Sequence, residues 1–194
     1  DLEFILETTP TERRTLMFSA TVPKPIVSLA KRYQRDAVRI STKGEGKQHA
    51  DIDYFAYSVN AKNRESAIAN VLRYYDAKNA LVFCGTRAAV NDMTSRFNSR
   101  GFSVVALSGE LSQKERTNAL QALRNGNARV CIATDVAARG LDLPNLELVV
   151  HADIPRSGQI LLHRSGRTGR AGRRGVTALM VTKNARRRTE ILFQ

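Results

Sequence analysis

At 194 residues, with 42% hydrophobic and 25% charged residues, the chain can bury one well-packed α/β domain with extra segments, but not two large domains. Its charge balance is unusual, 31 Lys and Arg against 18 Asp and Glu, a formal net charge of +13 that points to a polyanionic partner such as nucleic acid or an acidic membrane surface. No apolar run reaches membrane-spanning length and no signal peptide opens the chain, so a membrane protein is not expected. Cys84 and Cys131 lie inside apolar runs without metal-ligand spacing, as small core residues do in a reducing, cytoplasmic compartment. The chain begins at Asp1 with no initiator methionine, which predicts a fragment of something longer.

Residues 1–7 alternate acidic and apolar side chains like the end of a helix, and Pro10 places a turn over 8–12. Thr15-Leu-Met-Phe18 is expected as a short strand, with Ser19-Ala-Thr21 at its C-terminal end. From Pro23 the pattern is helical, with Ile26, Leu29, Ala30 and Tyr33 on one face. Residues 39–51 are a linker, because Arg39 to Ala50 loses periodicity and contains two glycines.

Past the linker, strand and helix alternate. Period-two alternation predicts a strand over 52–59, and Ala67, Ile68, Val71, Leu72 and Tyr75 share one face of a helix over 63–76. Ala80-Leu-Val-Phe-Cys84 is a buried strand ended by Gly85. A helix over 86–100 turns Val90, Met93 and Phe97 inward and is closed by Gly101. A strand over 103–107 precedes a helix over 112–125 that opens on a Ser cap and ends before Gly126. Residues 129–134, 147–151 and 176–181 read as strands and 158–165 as a short helix. Continuous apolar strands separated by amphipathic helices predict a parallel sheet covered on both faces, whose ligands bind beyond the C-terminal strand ends. The segments with polar chemistry, 19–21, 84–87, 108–116, 134–142 and 163–170, are all placed there.

His163-Arg-Ser-Gly-Arg-Thr-Gly-Arg170, continued to Gly175, repeats arginine at 164, 167 and 170 beside glycines at 166, 169 and 172. Guanidinium is a permanent cation whose planar fork suits phosphate oxygens, and glycine lets backbone approach a ligand. An unfolded RNA-binding segment rich in Arg and Gly would have the same composition. The strand that follows at 176–181 argues for a structured anion-binding loop. From Arg156 to Arg188 the chain carries ten cations and no acidic residue.

Ala133-Thr-Asp-Val-Ala-Ala-Arg-Gly-Leu-Asp142 follows a buried strand. Asp142 could accept from a ribose hydroxyl and Thr134 could donate to a phosphate, while an Asx turn with a helix cap is the commoner use of such residues. Ser112 with Glu115 fits a capping box, and Gln113 and Arg116 share a face at that helix N-terminus, where an anion is favoured. His49 and His151 fit structural roles, and no histidine has metal-ligand spacing. No nucleophile–base arrangement and no paired carboxylates are visible.

In this order the segments resemble the C-terminal half of a DEAD-box RNA helicase. Phe18-Ser-Ala-Thr21 resembles motif III, Leu81-Val-Phe-Cys-Gly-Thr-Arg87 motif IV, Gln113-Lys-Glu-Arg116 the QxxR element, 133–142 motif V and 163–170 motif VI. The resemblance implies an α/β fold, a RecA-like parallel sheet with helices on both faces over 52–183. It further implies that residues 1–38 are the remnant of a first RecA-like domain, with a basic tail over 184–194. Arg167 and Arg170 would reach the γ-phosphate of ATP, with His163 beside them, and Gly140 and Asp142 would hold the ribose side. Gly85, Thr86, Arg87, Gly109, Gln113, Arg116 and Thr134 would hold RNA backbone without sequence preference. Ser19, Thr21, Asp135 and His163 would couple the two domains.

The chain departs from the family at Leu161, where an aromatic residue is frequent, and after Lys183, where Arg186-Arg-Arg188 leads into an apolar end. It has no G-x-x-x-x-G-K-[ST] and no Asp-Glu-Ala-Asp, so the phosphate cradle and the Mg²⁺ carboxylate are expected from the first domain, and the chain alone is expected to be inactive. An RNA-binding scaffold without ATP chemistry, or a DNA-acting helicase of the same superfamily, are the competing readings.

Overall fold

Short, wholly apolar strands joined by amphipathic helices have one stable arrangement, a parallel sheet with helices on both faces. The computed structural model describes residues 2–18, 24–34, 36–40, 51–139, 143, 146–170 and 172–193. The chain divides into two compact units, Asp1–Glu45 and Gly46–Gln194.

The first unit holds helices α1 (Leu2–Thr8) and α2 (Lys24–Tyr33), linked by an ion pair from Arg32 to Glu3 at 3.0 Å. Gln34 Nε2 donates to the Thr15 carbonyl at 3.3 Å. The strand expected over 15–18 is absent. A strand requires a neighbour to take its backbone hydrogen bonds, and among the described residues none pairs with these, with Phe18 90% exposed. Ser19 and Thr21, residues 41–50 of the linker and His49 lie outside the described residues.

The second unit contains β1 (Ile52–Val59), α3 (Arg64–Tyr75), β2 (Ala80–Phe83), α4 (Arg87–Ser99), β3 (Val104–Leu107), α5 (Gln113–Arg124), β4 (Val130–Ala133), α6 (Asp135–Ala138), β5 (Leu148–His151), α7 (Gly158–Ser165), β6 (Gly175–Thr182) and α8 (Arg186–Leu192). The strands form one sheet in the order β1-β6-β5-β2-β4-β3, with every pair parallel. Alternate residues of the inner strands serve opposite faces. Val82, Ile132 and Val150 join Ile68, Leu72, Val90 and Phe97 in one apolar cluster. Leu81, Phe83, Cys131 and Val149 join Leu107 and Leu123 in the other. Each fully buried aliphatic chain contributes about 1.5–3 kcal/mol of transfer free energy, which is why β2, β4 and β5 tolerate no polar side chain except His151. The thiols of Cys84 and Cys131 are core groups, pushed up to about 12 by burial.

β2 lies between β4 and β5, so the chain crosses from one side of β2 to the other between those two strands. Such a reversal opens a crevice at the C-terminal ends of the strands. The segment read from sequence as a basic tail is folded. Leu192 and Phe193 pack with Leu161, Leu179 and Val181, and Phe193 meets Tyr54 edge-on with ring centroids 6.0 Å apart. Arg188 Nη2 donates to the carbonyls of Ile154 at 3.0 Å and Pro155 at 2.8 Å, tying α8 to the turn after β5. α6, which the sequence offered only as a capped turn, is one helical turn.

His151 closes β5 with no exposure and, among the described residues, no hydrogen-bond partner for either ring nitrogen, stacked on Phe83 with centroids 6.1 Å apart. Burial, followed by the charge of Arg164, lowers its pKa from 6.5 to about 3. The unfolded chain therefore takes up this proton below about pH 6.5, whereas the folded chain resists it down to about 3. The stabilisation is complete above the unfolded value and is lost as pH falls between the two. Urea unfolding should show a loss of about 2 kcal/mol between pH 7 and pH 5 from this group, and His151→Leu should flatten that slope. An unchanged slope in the variant would refute the assignment.

Candidate functional site

The neighbours β2, β4 and β3 deliver three turns to one edge of the sheet. Gly85, Thr86 and Arg87 follow β2, Gly109 follows β3, and Thr134 follows β4. Each turn has a local reason for its shape. Gly85 N donates to Asp153 Oδ2 at 2.7 Å. Thr86 caps α4 by accepting from Ala89 N at 3.1 Å, and Thr134 caps α6 by accepting from Ala137 N at 3.4 Å. A threonine that caps uses an acceptor lone pair and keeps its O–H proton available for an anion. The capping and phosphate-donor readings of Thr134 are therefore compatible. The capping box at α5 is formed by Ser112 and Glu115, and the hydrogen bonds from the Ser112 side chain and backbone hold the Glu115 carboxyl below its ordinary value. This orients the first turn of α5, where Gln113 is exposed and Arg116 half-buried. Arg87 is exposed and paired with Glu110, a surface ion pair worth about 1 kcal/mol or less.

The arginine repeat divides. α7 ends at Ser165, and Arg164 lies on its buried face together with Leu161 and Ser165. The Arg164 side chain is 5% exposed. Its Nε and Nη2 donate to the two oxygens of Asp135 at 2.6 and 2.7 Å, and Nη1 donates to the Asp153 carbonyl at 2.8 Å. Its guanidinium also sits 5.0 Å from the Phe83 ring centroid. Arg167 and Arg170 lie beyond the helix. Arg170 is exposed and, among the described residues, its side chain donates only to the Gly166 carbonyl, at 2.7 Å. Partial burial, followed by Arg170, lowers the pKa of the Arg167 guanidinium. Arg167, His163, Arg139 and Ile160 line a cleft of about 80 Å³ over Phe83 and Asp135.

Past Arg167 the loop is fastened to the sheet. Thr168 Oγ1 donates to the Leu146 carbonyl at 2.5 Å. Gly169 has φ +64°, and a Cβ there would fall 2.5 Å from Ile52 Cγ1. Its missing side chain lets the loop approach β1, and its positive φ is a conformation that a side chain would disfavour.

The expected equivalence of the three arginines changes. Arg164 is not a third phosphate cation, since burial and three hydrogen bonds commit it internally. Asp135 accepts from Arg164 at both oxygens while its side chain stays 34% exposed, so it is tied to α7 as well as open to solvent. Gly140 and Asp142 lie outside the described residues. Sequence reasoning missed Asp153, whose carboxylate also accepts from Arg64 Nη1 at 2.6 Å, and Phe83 as a platform for Arg164. The signal for Arg164 was present: it is three residues after Leu161 on the predicted helix, hence on the core-facing side. Among the described residues there is no group of three or more His, Cys, Asp or Glu that could hold a metal ion, and no helix is long and apolar enough to cross a membrane.

A parallel sheet of this order, with phosphate-suited turns past its strand ends and a basic loop beside its crevice, is a RecA-like helicase domain. The helicase conserved C-terminal domain family matches residues 62–172, and the chain belongs to that family. It is 34% identical to the ATP-dependent RNA helicase DbpA of Bacillus subtilis over 181 residues, covering 93% of this chain and 38% of that protein. It is 40% identical to the DEAD-box ATP-dependent RNA helicase 9 of Oryza sativa, covering 93% of this chain and 29% of the relative. The fold is similar to that of a DEAD box protein from Methanococcus jannaschii, with a TM-score of 0.68 at 31% identity, over 98% of this chain and 51% of the other. The chain thus spans well under half the length of these two sequence relatives.

The division of the arginines is testable by stability. Arg164→Ala leaves Asp135 and the Asp153 carbonyl without their donor and should cost about 3 kcal/mol in urea unfolding. Arg170→Ala, at an exposed site, should cost less than about 0.5 kcal/mol. Equal costs would show that Arg164 is no more structural than Arg170.

Proposed function

We propose that this chain is the C-terminal half of an ATP-dependent RNA helicase, which closes with a first RecA-like domain around ATP and RNA. One observation carries the reading. Arg164 is locked into the fold, whereas Arg167 and Arg170 meet no carboxylate among the described residues; Arg167 lines the cleft, and Arg170, three residues on, is exposed. Unpaired guanidinium groups would suit RNA phosphate as well, so it is the place of Arg167 in the strand-end cleft that favours a nucleotide phosphate.

In this reading Arg167 and Arg170 reach across to the γ-phosphate and stabilise charge that develops on its oxygens in the transition state. Asp142 accepts from the ribose, with Gly140 backbone beside it. His163 and Asp135 hold the interface between the domains, and Asp135 also fixes, through Arg164, the helix that carries His163. Ser19 and Thr21 of the first unit couple the two domains. The hydroxyls of Thr86 and Thr134, the backbone of Gly85 and Gly109, and the side chains of Arg87, Gln113 and Arg116 bind phosphates and sugar, which positions RNA without reading sequence. Mg²⁺ neutralises phosphate charge when bound, and its carboxylate ligands belong to the first domain. The setting is cytoplasmic.

The test is ATPase activity with and without RNA, for this chain alone and after addition of a separately produced first RecA-like domain. The chain alone should show no RNA-stimulated turnover. The reconstituted pair should turn over with RNA, and Arg167→Ala should lower that rate by roughly 10³-fold or more. Turnover indifferent to Arg167→Ala would reduce the loop to an RNA-binding surface and favour the scaffold reading.

A further inference from the structure

Four exposed cations at the C-terminal edge of the sheet play no part in the site above. Lys62 follows β1, Arg156 follows β5, and Lys183 and Arg187 follow β6. None of the four forms an ion pair among the described residues, whereas Arg186 is paired with Glu190 at 3.1 Å and Arg188 is committed to the carbonyls of Ile154 and Pro155. β1, β6 and β5 are neighbours, and they make up the half of the sheet that the RNA turns of β2, β4 and β3 leave uncovered. Because all the strands are parallel, both halves present their ends to the same edge.

Between the ends of β1 and β6 lies an open groove of about 390 Å³, lined by Ser58, Asn60, Thr182, Lys183 and Asn184 with the apolar Val59 and Ala61. It contains no acidic side chain. Asn60 Oδ1 accepts from Lys62 N at 3.1 Å, which leaves the amide N–H groups of Asn60 free to donate. Thr182 stands at the cap position of the turn over 183–185 without making a capping bond, so its hydroxyl is also available. Arg188 fastens α8 to the turn after β5, which presents Arg187 on a fixed element. Polar donors and the Lys183 ammonium line the groove, Lys62 directly follows its lining residue Ala61, and Arg187 lies three residues past Asn184, a set that matches a chain of phosphates and sugar hydroxyls.

We propose that this groove, with Lys62, Lys183 and Arg187, is a second phosphate-binding surface, which takes single-stranded RNA backbone continuing past the turns of β2, β4 and β3. The inference rests on the RNA reading given above. Five inter-strand steps of about 4.8 Å separate β3 from β1 by roughly 24 Å. A very short oligonucleotide on the first half therefore does not reach the groove, and a longer one does.

The experiment is fluorescence anisotropy across a salt series, with labelled oligouridines of about four and about twenty nucleotides, a length range that spans ordinary single-strand site sizes. The triple variant Lys62→Ala/Lys183→Ala/Arg187→Ala should keep the wild-type thermal midpoint, because all three side chains are exposed and unpaired. On the long RNA its log–log salt slope should be shallower by about 2 units, at about 0.7 per phosphate contact, while binding of the short RNA is unchanged. Arg116→Ala, in the first half, should weaken both lengths. Equal slopes for the triple variant and wild type on the long RNA overturn the inference, whatever Arg116→Ala does. Loss in the triple variant alone keeps the groove and removes the RNA path assigned to the other half. A wild type that binds neither RNA overturns both. Tripolyphosphate serves as the competing small ligand: binding that the triple variant loses, with an unchanged RNA slope, identifies a site for free polyphosphate and overturns the RNA assignment.

Discussion

A guanidinium withdrawn from water must have its donors satisfied, and the second unit is arranged around one that is. Arg164 is buried on α7, gives two hydrogen bonds to Asp135 and one to the Asp153 carbonyl, and stacks over Phe83. Those contacts join the residue that opens α6, the turn after β5 and the last residue of β2. The Asp153 carboxylate extends the network, accepting from Gly85 N and from Arg64 at the start of α3. Loops that would otherwise move independently at the point where the chain crosses β2 are therefore held in one hydrogen-bonded assembly. Such a network is costly when half satisfied and rigid when complete. Here both oxygens of Asp135 and the aromatic face of Phe83 are used, so the crevice walls are fixed before any ligand arrives.

Rigid walls allow the functional groups to be held lightly. Thr86 and Thr134 are positioned by helix capping, a bond typically worth about 1 kcal/mol, yet the capping geometry uses only an acceptor lone pair. Arg87 rests against Glu110 in an exposed pair that phosphate oxygens can replace at little cost. Arg170 spans only the four residues back to the Gly166 carbonyl. In the proposed reading the groups that would meet a ligand are thus preorganised by weak local bonds on a frame held by a strong buried one, an arrangement that limits the entropy lost on binding.

Most of the frame was legible because it depends on local pattern. Wholly apolar runs such as Ala80 to Phe83 can only be strands covered on two faces, and Ser112 with Glu115 specifies a capping box from four residues. What sequence concealed depends on partners distant in the chain. Arg164 meets Asp135 across 29 positions and Arg64 meets Asp153 across 89, so no local rule finds either pair. The even spacing of 164, 167 and 170 suggested equivalent roles, but α7 ends between the first and second, and the helix face decides that Arg164 goes inward. Residues 15–18 had strand character without a neighbouring strand, and apolar character alone does not close a hydrogen-bond ladder. The apolar end after the basic triplet at 186–188 was visible, but its partners Leu161, Leu179 and Val181, on which Leu192 and Phe193 dock the helix, were not.

The same distinction changes what a net charge of +13 means. Arg64, Arg129, Arg164 and Arg186 each sit within 3.1 Å of a carboxylate, and Arg188 donates to two carbonyls. These cations act mainly on the protein itself, either neutralised locally or fixed as braces. The charge that an approaching polyanion meets is carried by the remainder, and the topology collects much of it at one edge. Parallel strands place every C-terminal end together, so cations that follow β1, β5 and β6 share that edge with the turns of β2, β3 and β4. Repulsion among like charges gathered this way opposes folding, and the core clusters on both sheet faces supply the apolar burial that offsets it. A basic edge is therefore maintained against its own electrostatic cost, which is consistent with a surface selected for binding phosphate more than for solubility.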